Sequence, residues 1–299
     1  MNVLVTGGAG FLGSHLVDRL VERGNDVVVL DDLSRGEESQ VSKSAKLVDG
    51  DVRVLEDWEL AIKSNPPDII HHLAAINGTK RFHDEADLVV DVNVNGTINA
   101  IDIAKRTGAR MVFYSSPEAF GEQQNMPLSN SSNSVFSPPL KHQRHSYGVS
   151  KYLGEILCQF AVRTGSDIRI VRPCNVYGPR LKGGINGQVV SKMLESDPII
   201  VHGDGSQTRC MTWVGDVVDG MLRVGDYDLP PGSTFNLGST EEISMLDLAK
   251  IISKKRSIEI EFCEPYHGDS KRRLPDIENN NLIGWLAETS LQVGINQLL

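Results

Sequence analysis

The chain has 299 residues, with 30 Lys and Arg against 39 Asp and Glu, a formal net charge of −9 and 40% hydrophobic residues. That length allows one large domain or two modest ones around a substantial core, and the composition is that of an ordinary soluble globular protein. The acidic balance argues against a general nucleic-acid binder, so the basic stretches "SKKRS" and "SKRRLP" read as solvated surface turns. Cys158, Cys174, Cys210 and Cys263 are widely spaced, without a C-x-x-C pair or a histidine at metal spacing. They read as reduced, mostly buried thiols of a cytoplasmic protein, and no metal is expected. No stretch approaches the roughly 20 apolar residues that span a bilayer.

"MNVLVTGGAGFLG" reads as a first strand followed by a glycine turn, not as a signal peptide. Gly7, Gly10 and Gly13 keep G-x-x-G-x-x-G spacing. Leu12, Leu16, Leu20 and Val21 then hold one helical face, and Gly24 supplies a stop. Such glycines allow a tight turn and close approach of a pyrophosphate, which then faces the helix N-terminus. A second apolar run ends in Asp31 and Asp32, eighteen residues beyond Gly13. An acid there suits ribose hydroxyls and repels a 2′-phosphate, so NAD is expected rather than NADP.

The alternation continues. "KLVDGDV" places Asp51 and Val52 near an adenine ring, "PDIIHHLAA" ends in Ala74 and Ala75, and "RMVFYSSPEAFG" ends in Ser115 and Ser116. Strands alternating with helices predict an α/β protein with a doubly wound parallel sheet of Rossmann type, and ligands beyond the strands' carboxyl ends. His71 and His72 lie within such a strand and read as core residues. The polar segment from Glu122 to His145 is expected to form a long loop over the active site.

In "RHSYGVSKYLGE", Tyr147 and Lys151 stand four residues apart and share a helical face. A tyrosine with an ordinary pKa near 10 needs about 4 kcal/mol of help to ionise at neutral pH. A lysine ammonium beside the phenol would provide part of it. Such a phenolate takes a proton from an alcohol while its carbon loses hydride.

With these residues in place, the sequence resembles the extended short-chain dehydrogenases/reductases, specifically the NAD-dependent nucleotide-sugar epimerase/dehydratase group. The phrases "VTGGAGFLGSHL", "LDDLSRG", "GDVR", "HHLAA", "NVNGT", "SSPEAFG", "SYGVSK", "RPCNVYGPR", "GDGSQTRCMTWVGDVVDGM", "FNLGS" and "RRLPDI" run in that family's order. The resemblance implies an NAD-binding Rossmann domain over residues 1–173, with 209–238 returning to it. It implies a smaller C-terminal α/β substrate domain for a nucleotide diphosphate-sugar over 174–208 and 239–299. Cofactor contacts are implied for Gly7, Gly10, Phe11, Leu12, Gly13, Asp31, Asp32, Ser34, Asp51, Val52, Leu73, Ala74, Ala75, Asn93, Ser115, Tyr147, Lys151 and Pro173. Tyr147 is the implied base, Lys151 its partner and Ser116 the hydroxyl on the reacting sugar oxygen. Asn175, Arg209, Arg273 and Lys80 fall at positions implied to meet the substrate, and Arg144 reads equally as a substrate anion's partner or a surface residue. The helix near Asp91–Lys105 and the one beginning near Tyr147 commonly form a homodimer's four-helix interface in the family.

The shared first step in this family is hydride transfer from sugar carbon 4 to NAD. An epimerase returns the hydride to the other face, a 4,6-dehydratase expels water, and a decarboxylase loses carbon dioxide. Glu118, two residues beyond Ser116, resembles the dehydratase and decarboxylase pattern, while Pro117 stands where one dehydratase subgroup has an aspartic acid. Arg273 in "KRRLPDI" resembles the decarboxylase branch, where it can meet the substrate carboxylate. A UDP-sugar 4-epimerase is the first expectation, with 4,6-dehydratase or UDP-glucuronate decarboxylase as alternatives. A non-catalytic NAD-binding regulator and a simple ketone reductase are the rival classes.

Overall fold

A computed structural model describes residues 1–141, 143–182, 188–265 and 270–299. The chain opens with β1 (Asn2–Thr6), α1 (Phe11–Glu22), β2 (Asp26–Asp31), β3 (Lys46–Asp49), α2 (Leu55–Ile62) and β4 (Ile69–His72). Next come α3 (Thr79–Asp84), α4 (Ala86–Thr107), β5 (Arg110–Tyr114), a 3-10 turn over Pro117–Phe120, α5 (His145–Arg163), β6 (Ile168–Pro173) and β7 (Val176–Tyr177). The remainder comprises α6 (Val189–Glu195), β8 (Ile199–His202), β9 (Thr208–Cys210), β10 (Thr212–Trp213), α7 (Val214–Asp226), β11 (Thr234–Leu237) and β12 (Glu242–Ser244). It closes with α8 (Met245–Arg256), β13 (Ile260–Cys263), β14 (Arg272–Arg273), a 3-10 segment over Glu278–Ile283, and α9 (Leu291–Leu298).

Seven strands form one parallel sheet in the order β11-β6-β5-β4-β1-β2-β3. Val3 stands opposite Val27 on one side and Ile69 on the other, a register that buries the apolar run of β1 between its neighbours. The order reverses at β1/β4, and this switch point is where a doubly wound sheet leaves a crevice beyond its carboxyl ends. Leu16, Val17 and Leu20 of α1 pack with Val217, Val218 and Met221 of α7 on one face. On the other face Trp58 of α2, Val89 and Ala100 of α4 and Cys158 of α5 form a second core. His71 and His72 are buried between these layers, and burial lowers both imidazoles to about pKa 3. They are neutral core residues bonded to Tyr114 and Thr6.

A third core of Val190, Met193, Ile199, Val201, Leu248 and Ile252 gathers α6, β8 and α8 into a smaller lobe. Its short sheets are β13-β8, β12-β9-β14 and β10-β7. Two stretches pack differently from the expected division. Residues 208–213 pair within the short sheets, so the return to the large sheet begins at α7. Ile283 and Trp285, from the segment expected in the substrate domain, are buried against the α1/α7 face, with the Trp285 indole donating to Asp216 O at 2.7 Å.

The Glu122–His145 segment is tethered away from the cavity rather than laid over it. Leu128 N donates to Leu274 O (2.8 Å), Asp276 N donates back to Leu128 O (3.0 Å), and the Asn130 amide donates to Thr234 O (2.9 Å). Among its described residues only Arg144 lines the main cavity, and His142 lies outside the described residues. The polar composition suggested a lid. Backbone pairing with a segment some 145 residues further on, invisible to local pattern, places it at the sheet edge instead.

Candidate active site

A cavity of about 880 Å³ lies at the carboxyl ends of β1, β2, β4 and β5 and is walled on its far side by the smaller lobe. Gly7, Gly10, Phe11, Leu12 and Gly13 form one wall. Two of the glycines are required by space. Gly7 has φ of +70°, and a Cβ there would meet Ala74 N at 2.7 Å; a Cβ on Gly13 would stand 2.1 Å from Gly7 O. The β1–α1 turn therefore packs backbone to backbone against the exit of β4, leaving the α1 N-terminus facing the cavity, as anion binding requires.

Asp31 fixes this turn. Its Oδ2 accepts from Ala9 N and its Oδ1 from Leu33 N, both at 2.9 Å. Burial pushes the carboxyl up, and these two amides partly offset that. The Asp32 carboxylate accepts from the Ser34 amide (3.0 Å) and hydroxyl (2.6 Å). Asp31, Asp32, Ser34, Val52, Leu73, Ala74, Ala75, Ser115 and Pro173 all face the cavity. A tight turn without Cβ atoms, two carboxylates at the end of β2 and an aliphatic slot at Val52 and Leu73 fit NAD, and the carboxylates disfavour an added phosphate.

Two expected cofactor residues do not line the cavity. Asp51 is ion-paired with Arg53 at 2.6 Å, and Arg53 bridges on to Asp91 at 2.7 Å. Asn93 is buried, accepting from Ile76 N (2.8 Å) and donating to Ser150 Oγ (3.0 Å). Both instead fasten loops around the site.

Tyr147 and Lys151 stand on successive turns of α5, and both are buried. Ser116 Oγ accepts from Glu118 N at 3.2 Å, capping the 3-10 turn, and its hydroxyl lies near enough to the Tyr147 phenol to favour the ionised form. The Tyr147 ring stacks on Phe82 with centroids 4.9 Å apart. Burial pushes the phenol up, Ser116 pulls it down, Glu118 adds to the rise, and Arg35 opposes it. Lys151 takes a different place from the one expected of it. Its Nζ donates to Tyr114 O (2.8 Å) and lies 5.8 Å from the Tyr147 ring centroid, and it is not among the groups that pull the phenol down. Burial lowers the Lys151 ammonium to about 8, against the opposing fields of Cys158 and Glu155.

Asn175, Arg209, Arg273 and Arg144 all line the cavity, and Asn175 holds a left-handed backbone (φ 41°). Lys80 does not: it pairs with Asp84 one turn along α3, on an exposed face. Arg273, only 6% exposed, is committed to the protein itself. Its guanidinium donates to Pro117 O (2.9 Å), Gly121 O (3.0 Å) and Glu118 Oε2 (3.2 Å), gripping both ends of the 3-10 turn. Burial pushes Glu118 up, but Arg273, Arg144, Arg209 and His145 outweigh it and hold the carboxyl below its ordinary range. Glu118 is therefore an anion amid an excess of cations. Among the described residues no group of three His, Cys, Asp or Glu side chains is placed to hold a metal ion.

Three residues at or behind the site were not singled out in the sequence. Arg35 reaches across the cavity wall to donate to Asn77 O at 2.5 Å; it lies within the phrase "LDDLSRG" and so had a local signal. Glu155 continues the Tyr147, Lys151 helical row and was likewise readable from spacing. Phe82 belongs to no motif, and only the fold brings it to Tyr147.

The NAD dependent epimerase/dehydratase family profile matches residues 3–238. The chain belongs to that family. It is an enzyme of the extended short-chain dehydrogenase/reductase type. It is 33% identical over 309 residues to UDP-glucuronic acid decarboxylase 4 of Arabidopsis thaliana, covering 99% of this chain and 67% of that one. The chain thus spans about two thirds of the length of that relative. The UDP-glucose 4-epimerase of Thermotoga maritima with UDP-glucose superposes with a TM-score of 0.91 at 28% identity, over 99% of this chain and 96% of the other. The Thermus thermophilus UDP-glucose 4-epimerase complex with NAD gives 0.86 at 26% identity, over 99% and 96%. No helix among the described residues is long and apolar enough to cross a membrane.

Proposed function

We propose that the protein oxidises carbon 4 of a nucleotide diphosphate-sugar and works as a UDP-sugar 4-epimerase. The observation that carries this reading is the convergence of Ser116, Tyr147 and Lys151 on the wall of the cavity that the glycine turn opens into, with the Ser116 hydroxyl favouring the Tyr147 phenolate. When bound, NAD supplies a hydride acceptor and a positive ring charge. Tyr147 Oη would take the carbon 4 hydroxyl proton and Ser116 Oγ would hold the same oxygen, while the Lys151 ammonium, anchored on Tyr114 O, would add positive charge beside them. Burial favours the neutral phenol, so Tyr147 reaches its basic form only with cations near, Arg35 among them. Asn175 and Arg209 line the cavity and would meet the diphosphate, guanidinium being suited to phosphate oxygens. Residues 1–173 with α7 and β11 would serve the cofactor, and the smaller lobe, Arg209 of β9 included, would serve the nucleotide-sugar.

Glu118 favours a second reading. A carboxylate on the cavity wall beside Tyr147, facing three arginines and a histidine, suits proton movement at carbon 5 or an acidic sugar, as in dehydration or decarboxylation. The test is mass spectrometry of products from a panel of nucleotide sugars in heavy water. Unchanged mass with inverted stereochemistry supports epimerisation. Loss of water with deuterium at carbon 5, or loss of carbon dioxide from a uronic acid, replaces it with the second reading.

We also infer a homodimer through α4 and α5. Val90, Ile98, Val149, Tyr152, Leu153, Ile156 and Phe160 on these helices are all exposed, Phe160 at 61%. Such a patch on neighbouring helices suits a second copy of the same face.

A further inference from the structure

Three consecutive residues at the end of β5 are each met by one turn of the same row along α5. The Ser116 hydroxyl sits beside the Tyr147 phenol, Lys151 Nζ donates to Tyr114 O at 2.8 Å, and the Glu155 carboxylate accepts from Ser115 Oγ at 2.5 Å. The first two belong to the reaction as read above; the third is buried and faces no ligand cavity. Glu155 is braced from behind by Arg172 of β6, whose Nε and Nη2 donate to it at 2.7 and 2.6 Å. The same guanidinium lies 4.5 Å over the Phe120 ring, at the end of the turn that carries Glu118, and donates to Asn130 Oδ1 at 2.9 Å.

We propose that Glu155 is a positioning residue for this reaction: with Arg172 it locks the helix bearing Tyr147 and Lys151 onto the strand end bearing Ser116, and its charge faces Lys151 one turn away. The proposal rests on the reading of Tyr147, Lys151 and Ser116 given above. A bare helix–strand contact tolerates sliding, whereas hydrogen bonds from Lys151 and Glu155 to two successive residues, Tyr114 and Ser115, fix one register. Misplacement of reacting groups by 1 Å can cost about 10²-fold in rate. The groups that face Lys151 are Tyr147, Glu155 and Cys158 on its own helix and His72 on β4, with Arg172 on β6 behind Glu155. Of these only Glu155 carries a formal negative charge at neutral pH, since His72 is neutral and burial pushes the Cys158 thiol up.

The variant Glu155→Gln keeps the shape and an acceptor for Ser115 while removing the charge. It is compared with wild type and Tyr147→Phe on whichever of UDP-glucose and UDP-glucuronic acid the wild type turns over. The expected result is kcat lowered roughly 10–100-fold, KM within about twofold, and the alkaline limb of the pH–rate profile moved about one unit toward acid. Glu155→Asp returns the limb while kcat stays low. Should Glu155→Gln not fold, Ser115→Ala carries the positioning arm, with kcat reduced about 3–10-fold and the limb unmoved. A profile like wild type in the folded variants, or a loss confined to KM, overturns the proposal. Full turnover by Tyr147→Phe, or no turnover of either sugar by wild type, instead removes the reading beneath it.

Discussion

Replacing Arg273 by Met keeps the aliphatic stem but removes three donors at once, to Pro117 O, Gly121 O and Glu118 Oε2. Breaking a buried pair by deleting one partner typically costs about 3–5 kcal/mol. Glu118 keeps 31% side-chain exposure, so water recovers part of its solvation and the lower end applies, about 3 kcal/mol. For a chain of this size that is roughly 6 °C in melting temperature, taking about 2 °C per kcal/mol. Thermal unfolding of Arg273→Met, Glu118→Gln and the double variant measures the coupling directly. Glu118→Gln should be costly in the wild-type background and nearly free, or favourable, once Arg273 is gone. The pH dependence has a fixed sign. Glu118 is held below its ordinary range in the folded protein, so its stabilisation is present above an unfolded value near 4.5 and lost as pH falls through the folded one. The gap between wild type and Arg273→Met should therefore narrow in acid. An Arg273→Met protein melting within 1 °C of wild type, or a Glu118→Gln cost identical in both backgrounds, refutes the reasoning.

Tyr147→Phe removes the phenol while keeping the stack on Phe82, so turnover should drop about 10²–10⁴-fold with NAD retention unchanged, as read by nucleotide released on denaturation. Gly13→Ala places a Cβ 2.1 Å from Gly7 O, forcing the turn apart; loss of bound NAD and a stability lower by about 1–3 kcal/mol are expected in binding and unfolding assays. Turnover should decline as pH rises through about 8, because burial has brought the Lys151 ammonium down to that value; a profile flat to pH 9.5 counts against a charged Lys151. Phe160→Glu should convert a dimer to a monomer by size-exclusion chromatography with light scattering, without lowering the melting temperature of the isolated fold by more than a degree or two.

Much of this molecule is legible from local pattern, because the features that set the fold are themselves local. The glycine spacing after β1, the period-3.6 face of α1 and the acid pair ending β2 each lie within a few residues, and each has a direct steric or electrostatic reason. The shared helical face of Tyr147 and Lys151 follows from the same kind of local spacing. What was not legible depends on pairings far apart in sequence. Arg273 looked like a substrate contact because arginine suits carboxylates and phosphates; the fold instead brings it to carbonyls more than 150 residues earlier. Asp51 and Lys80 carried family-like positions, yet neighbouring Arg53 and Asp84 claim their charges first. Asn93 is held by Ile76 and Ser150 as a buried clamp, which no spacing rule distinguishes from a cofactor contact. The Glu122–His145 segment shows the same limit, since its anchor at Leu274–Asp276 is set by topology.

The central claim is that hydrogen leaves sugar carbon 4 as hydride and returns within the same site. UDP-glucose carrying deuterium at carbon 4, incubated with the protein in ordinary water, tests it most directly. Product retaining that deuterium at carbon 4 with inverted configuration is the predicted result; product formed with the label washed out to solvent contradicts the account.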